Sequence, residues 1–206
     1  MFEKNLFYLI KQKMKLIFAT NNANKVAEIK SALSTELEII TLQEAGINID
    51  IPEPYETLEE NAREKATVIN NLTKQNCFSE DTGLEVTALN NEPGVRSARY
   101  AGDEADNKKN ITLLLKNLNN VDDRRAQFKT VICLLINGKE YFFTGICKGK
   151  IIEEQRGEMG FGYDAVFIPD GDDKTFAEMN MEQKNNYSHR KKALIKLTDF
   201  LNTYDG

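Results

Sequence analysis

Several features that mark large protein classes are missing or scarce in these 206 residues. The three cysteines, Cys77, Cys133 and Cys147, are odd in number, widely separated and form no Cys-x-x-Cys pair. That excludes a disulfide framework and a thiolate zinc centre, and it fits a reducing cytoplasm. Cys133, inside Val-Ile-Cys-Leu-Leu-Ile, reads as a small buried hydrophobe. No apolar run approaches a membrane span, so no membrane partner is expected. The 27 basic residues are outnumbered by 32 acidic ones, for a net charge of −5. A nucleic-acid binder needs a broad basic footprint, and the balance argues against one. A small nucleotide stays open, because one local pocket can match its charge. There is no Walker loop, no internal repeat and no low-complexity linker. What remains, 41% hydrophobic and 29% charged, is ordinary globular composition at a length sufficient for one sizeable core.

The chain divides at Met14. Residues 1–13 carry Leu6-Phe-Tyr-Leu-Ile10, too short for a secretory core and followed by no small-residue cleavage site. They are either a start-site artefact, with Met14 the natural start, or an apolar arm that packs on a neighbour. Residues 14–206 read as one domain.

Periodicity predicts a strand from Leu16, a helix over 25–34 with Val26, Ile29 and Leu33 on one face, and a strand over 37–42. Thr57-Leu-Glu-Glu60 reads as a capping box opening a helix striped by Leu58, Ala62, Ala66, Ile69 and Leu72. Strand pieces at 77–79 and 84–89 flank an acidic turn, and a helix follows over 106–118 with Ile111, Leu114, Leu115 and Leu118 inward. Asn137-Gly138 joins 128–136 to 140–144 as a hairpin, followed by a further strand over 146–152. A strand over 161–168 and a closing helix over 188–201 complete a mixed α/β sheet.

Four places carry chemistry. Between the first strand and helix lie Thr20, Asn21, Asn22, Ala23, Asn24 and Lys25. A helix start offers unpaired N–H groups and a positive dipole end, and Lys25 adds a full charge, so the loop suits an anion such as a phosphate. A plain Asx-rich cap is the structural alternative. Glu80 and Asp81 are adjacent carboxylates, of which only one can enter a given site from a strand. Glu53 is held extended by Pro52 and Pro54. Fixed carboxylates suit Mg²⁺ bridging to phosphates; Glu60 and Glu64 follow at helical spacing, with Glu60 already explained as a cap. In Gly160-Phe-Gly162-Tyr-Asp164, glycines bring two aromatic rings and a carboxylate close to the backbone, as base stacking would need. Last, Ser188-His189-Arg190-Lys-Lys192 puts cations at a helix N-terminus against the dipole, with Lys184 nearby. An electron-rich ligand would relieve that conflict.

In order, Ala-Thr-Asn-Asn-Ala-Asn-Lys at 19–25, Glu-Glu-Asn-Ala at 59–62, Glu-Asp-Thr-Gly-Leu at 80–84, Pro-Gly-Val-Arg-Ser-Ala-Arg-Tyr-Ala-Gly at 93–102, Gly-Phe-Gly-Tyr-Asp at 160–164 and Ser-His-Arg at 188–190 run through the chain. This series, from about residue 15 to 201, resembles the inosine triphosphate pyrophosphatase family. The resemblance implies an elongated mixed β-sheet flanked by helices, two lobes with a central cleft, and a homodimer. It implies Mg²⁺-assisted hydrolysis of non-canonical purine nucleoside triphosphates to monophosphate and pyrophosphate. By matching position, Thr20, Asn22 and Lys25 would hold the triphosphate. Glu53 and Asp81 would bind the metal, with Asp81 also the catalytic base, and Thr82 would touch substrate. Phe161, Gly162, Tyr163, Asp164, Lys184, Ser188, His189 and Arg190 would surround the nucleoside. The chain departs from the family at Asn21, often glycine there, and over Glu53–Thr57, which lacks a common glycine. Two rivals stand beside this reading: a pyrophosphatase for pyrimidine or modified nucleotides, and a non-catalytic nucleotide-binding regulator.

Overall fold

A computed structural model describes residues 14–33 and 37–204; the N-terminal arm lies outside the described residues. One mixed seven-stranded sheet runs through the molecule. β1 (Met14–Phe18) lies between parallel β2 (Leu37–Thr41) and parallel β3 (Cys77–Val86). From β3 the sheet continues antiparallel through β5 (Arg125–Ile136), β6 (Lys139–Ile151) and β7 (Phe167–Pro169). β4 (Pro93–Gly94) pairs with Leu84 and Glu85 at the far end of β3. β1 reaches only Cys77 and Phe78, so on that side residues 79–83 have no strand neighbour and the sheet splits.

Two hydrophobic clusters sandwich the β1 end. On one face Leu16, Phe18, Phe78, Ile132 and Leu134 pack against Ile29 of α1 (Ala23–Ala32) and Ala193, Leu194 and Leu197 of α5 (His189–Thr203). On the other, Ile17, Cys77, Val131 and Cys133 meet Leu58, Ala62, Ala66 and Ile69 of α2 (Leu58–Thr73). A third cluster fills the opposite lobe, from Leu84, Val86, Phe128 and Phe167 to Ile111, Leu114 and Leu118 on and after α3 (Asn107–Asn117). The long strands β3, β5 and β6 carry both lobes, and the split in the sheet becomes the cleft between them. This is the mixed-sheet, two-lobed architecture expected.

Several element boundaries differ from the sequence reading. β3 is one continuous strand through Glu80 and Asp81, not two pieces around a turn; these polar side chains look turn-forming because they are buried in ion pairs that a sequence does not display. Residues 87–89 form a 3₁₀ turn. β6 is likewise unbroken from 139 to 151, so the separate strand at 146–152 is its continuation. The strand expected over 161–168 forms only at 167–169; 164–166 is a 3₁₀ turn, and Asp164 folds back to accept the Phe161 N–H at 2.9 Å. α1 begins two residues early, capped by Asn22, and ends at Ala32 with Leu33 extended. Leu72 is 59% exposed and leaves the α2 stripe. Leu115 is only partly buried. A short helix, α4 (Met181–Asn185), went unread; it carries Lys184.

Candidate active site

A cavity of about 430 Å³ occupies the cleft. Its walls come from the loop after β1 (Thr20, Asn21, Asn22, Asn24, Lys25), from Glu53 and Lys65, from Asp81 and Thr82 on β3, from Arg99, and from Phe161, Gly162, Tyr163, Asp164, Lys184, His189 and Arg190. Two expected residues do not line it. Ser188 caps α5, its hydroxyl accepting the Lys191 N–H at 3.2 Å. Ala23 opens α1 away from the cavity surface.

The loop after β1 is largely self-bonded. Asn22 Oδ1 accepts the N–H groups of Asn24 (3.0 Å) and Lys25 (3.1 Å), and Thr20 Oγ1 accepts that of Asn22 (3.2 Å). The helix donors taken as free for an anion are thus partly committed to the cap. Asn21 donates from its side chain to the Ile49 carbonyl at 2.8 Å, tying this loop to the segment that leads to Glu53. Asn61 extends that tie: its amide both donates to the Tyr55 carbonyl and accepts the Tyr55 N–H, each at 3.0 Å, clamping the 53–57 loop onto α2. Glu60 and Glu64 stay outside the cavity, bonded to Thr57 and Tyr55.

Glu53 and Asp81 share one ammonium. Lys65 Nζ donates to Glu53 Oε1 and, at 3.1 Å, to Asp81 Oδ1. Arg99 reaches Glu53 Oε2 at 3.4 Å from the other lobe. Asp81 is only 5% exposed, and its Oδ2 has no hydrogen-bond partner. Burial lifts the Asp81 pKa above the usual carboxylate value, against the pull of Lys65 and Lys25. For Glu53 burial pushes the same way, but Lys65, Lys25 and Arg99 outweigh it and its pKa is lowered. Among the described residues no group of three or more His, Cys, Asp or Glu gathers as a metal centre. A divalent ion here would need oxygens from elsewhere to complete its shell.

A second constellation lies deeper. Arg190, 2% exposed, donates to Glu80 Oε2 at 2.7 Å, to Glu80 Oε1 at 3.0 Å and to Glu28 Oε2. Lys184 bridges Glu28 Oε1 (2.7 Å) and Asp164 Oδ2 (2.6 Å), and Lys25 Nζ meets Glu80 Oε1 at 3.2 Å. Three cations and three carboxylates interlock, which resolves part of the odd cation cluster at the start of α5: Arg190 is neutralised from β3 and α1, and Lys184 from α1 and Asp164, while Lys192 donates to the Ile146 carbonyl at 3.0 Å. Gly145 permits this placement, since a Cβ there would collide with the His189 carbonyl where α5 lies on β6. Glycine at 160 is needed likewise, with the Asp164 carboxylate against it.

The aromatic groups divide. Tyr163 is buried and its hydroxyl donates to the Ser97 carbonyl at 2.9 Å, so it belongs to the lobe's framework. Phe161 lies under Lys184 and Arg190, at 5.3 and 5.8 Å from ring to cation. His189 stacks on Phe128 at 4.7 Å. Burial, then Arg190 and Lys184, holds its pKa well below 6.5, so the imidazole is neutral; its buried Nδ1 is without a partner. Sequence reasoning missed Glu28, Lys65 and Arg99. Two signals were there: Lys65 stands four residues after Asn61 on the inward face of α2, and Arg99 lies inside the 93–102 motif.

With that geometry in place, comparisons with known proteins agree on one family. The model of the Ham1 family matches residues 16–200. The dITP/XTP pyrophosphatase of Flavobacterium johnsoniae is 51% identical over 188 residues, 91% of this chain and 98% of that protein. The dITP/XTP pyrophosphatase of Porphyromonas gingivalis is 48% identical, over 91% of this chain and 97% of that protein. Among solved structures, the Ham1 protein of Staphylococcus aureus superposes with a TM-score of 0.82 at 38% identity, covering 91% of this chain and 98% of that one. A HAM1 protein of Coxiella burnetii gives 0.84 at 35% identity, covering 93% and 100%.

Proposed function

The chain belongs to the Ham1 family, and from that premise we propose that it hydrolyses ITP, dITP and XTP to the monophosphate and pyrophosphate, clearing damaged purines from the nucleotide pool. The observation that carries this reading is the meeting, in one cavity, of Lys25, the Glu53–Asp81 pair and the pocket of Phe161 and His189. A homodimer working in the cytoplasm completes the reading.

A triphosphate repels an incoming nucleophile, so cations must gather around it. Lys25, Lys65 and Arg99 all face the cavity. Asp81 orients the attacking water through its uncommitted Oδ2 and takes its proton, a role that needs hydrogen-bond reach above all. Attack at the α-phosphorus breaks the α–β anhydride and releases pyrophosphate. Glu53 and Asp81 would hold Mg²⁺. The fit is supported by their all-oxygen donor set and by the orphaned Asp81 oxygen, while water and phosphate oxygens would fill the remaining positions. When bound, the ion supplies charge neutralisation and polarises a phosphoryl oxygen.

Selectivity rests on the base pocket. Lysine offers three N–H donors and arginine five. Lys184 gives two to Glu28 and Asp164, and Arg190 gives three to Glu80 and Glu28 and a longer one to Thr82 at 3.4 Å. Each therefore keeps one donor for the C6 oxygen of hypoxanthine or xanthine, where adenine presents an amino group. A buried site of this kind discriminates by about 10⁴–10⁵. Guanine shares the C6 oxygen, so its exclusion must involve the C2 amino group. The test is pyrophosphate release from ITP, dITP, XTP, GTP, ATP and a pyrimidine triphosphate, with and without Mg²⁺. Preference for the non-canonical purines supports the reading. Equal use of ATP, or preference for the pyrimidine, overturns the pocket assignment, and no Mg²⁺-dependent turnover on any of them returns the chain to the binding-regulator class.

A further inference from the structure

Lys65 belongs to none of the groups the sequence motifs single out as functional, yet it sits at the centre of the acidic pair. It projects from α2, is 6% exposed, and donates to one oxygen of Glu53 and one of Asp81. Arg99 takes the second oxygen of Glu53 at 3.4 Å. Three of the four carboxylate oxygens thus face a cationic donor. The fourth, Asp81 Oδ2, is buried and faces none.

An ammonium bridging two carboxylates occupies the electrostatic place of a divalent cation held by the same oxygens. Both cannot have the full set: the two positive centres repel, and each needs the same lone pairs. Two carboxylates also fall short of an octahedral shell, so the remaining ligands must arrive with substrate and water.

We propose that Lys65 is a built-in substitute for the metal, neutralising Glu53 and Asp81 in the nucleotide-free protein and giving way only when a divalent cation arrives together with a triphosphate. The inference rests on the reading of Glu53 and Asp81 as metal ligands. The phosphates give the displaced ammonium a new anion within the same cavity, since Lys65 lines it. Metal and nucleotide then favour each other's binding, and the coupling is reciprocal. Metal alone is opposed by the resident charge.

The experiment is calorimetric titration of Mn²⁺ into the full chain, without nucleotide and with a non-hydrolysable ITP analogue. Wild type should bind Mn²⁺ weakly alone and tightly with the analogue. Lys65→Met should tighten binding of Mn²⁺ alone by about tenfold or more, within the ordinary range of coupling between sites, and should gain less from the analogue. Lys65→Gln, which leaves a polar group beside Asp81, should move the same way, and Lys65→Arg should stay weak because it keeps the cation. Circular dichroism checks that each variant is folded. Unchanged or weaker Mn²⁺ affinity in folded Lys65→Met and Lys65→Gln, with analogue-dependent binding intact, overturns the inference alone. If Glu53→Gln leaves analogue-supported Mn²⁺ binding unaltered, the metal-ligand reading fails and takes this proposal with it.

Discussion

Glu80 and Asp81 are adjacent on β3 and point to opposite faces of one sheet, and their surroundings could hardly differ more. Glu80 meets Arg190 through both oxygens and Lys25 at 3.2 Å; burial opposes its charge, but these cations win and lower its pKa to about 2. Asp81 has one oxygen on Lys65 and the other on nothing, and burial raises its pKa. A buried charge persists when it is paired and hydrogen-bonded. The Glu80 side meets that condition and works as scaffold, fixing Lys25, Lys184 and Arg190 relative to one another. The Asp81 side meets it halfway. What remains unsatisfied there is what chemistry can use.

The comparison breaks first at Asp81. Asp81→Asn should lower kcat by about 10²–10⁴-fold, the usual contribution of a positioned base, with far less change in stability. Near-normal turnover would remove Asp81 from the base role. Glu80→Gln should do the converse. It leaves the buried Arg190 guanidinium short of its partner, and breaking such a pair destabilises by about 3–5 kcal/mol, measured by denaturant unfolding. Equal stability of the two variants would dissolve the distinction between scaffold and site.

Acid sharpens it further, because the groups titrate with different signs. His189 has a lowered folded pKa, so the stability of its neutral burial is present above 6.5 and is lost as pH falls below that value. Glu80, also lowered, contributes fully above its ordinary 4.5 and loses that contribution as pH falls toward about 2. Asp81 is raised, so its protonation favours the folded state and runs against both. Calorimetry should therefore show the melting temperature falling from pH 7 toward pH 4. His189→Phe, which can keep the stack on Phe128, should flatten the segment just below 6.5. An unchanged slope there would mean that His189 does not titrate between the folded and unfolded chains.

Much of this was legible in the sequence because it is local. Thr57 before α2 and Asn137-Gly138 between β5 and β6 act over three or four residues, and their elements form where the pattern says; α1, expected from residue 25, starts two residues earlier. The motifs around Lys25, Asp81 and His189 also pointed to one place, and these residues do line one cavity. What stayed hidden is pairing across long separations. Glu28 meets Arg190 across 162 positions and Lys184 across 156. Nothing in α1 distinguishes Glu28 from a solvent-facing helical glutamate. The same blindness turned Glu80 and Asp81 into a supposed turn, since polar residues inside a strand are explained only by partners on other elements.

The smallest expected effect separates the two helix starts at the cavity. Asn22 caps α1 and lines the cavity, whereas Ser188 caps α5 behind it. Each side chain accepts backbone N–H groups, so Asn22→Ala and Ser188→Ala should each lower stability by about 1 kcal/mol. Their kinetics should diverge. In Asn22→Ala the N–H groups of Asn24 and Lys25 lose their acceptor and the loop loses its fixed shape, so KM for the triphosphate should rise. In Ser188→Ala the Arg190 pairs with Glu80 and Glu28 still hold the first turn of α5, so KM should stay near wild type. Steady-state measurements on both variants decide it. A rise in KM for Ser188→Ala equal to that for Asn22→Ala would mean that the buried ion-pair network does not lock the α5 terminus, and that its role as scaffold has been overstated.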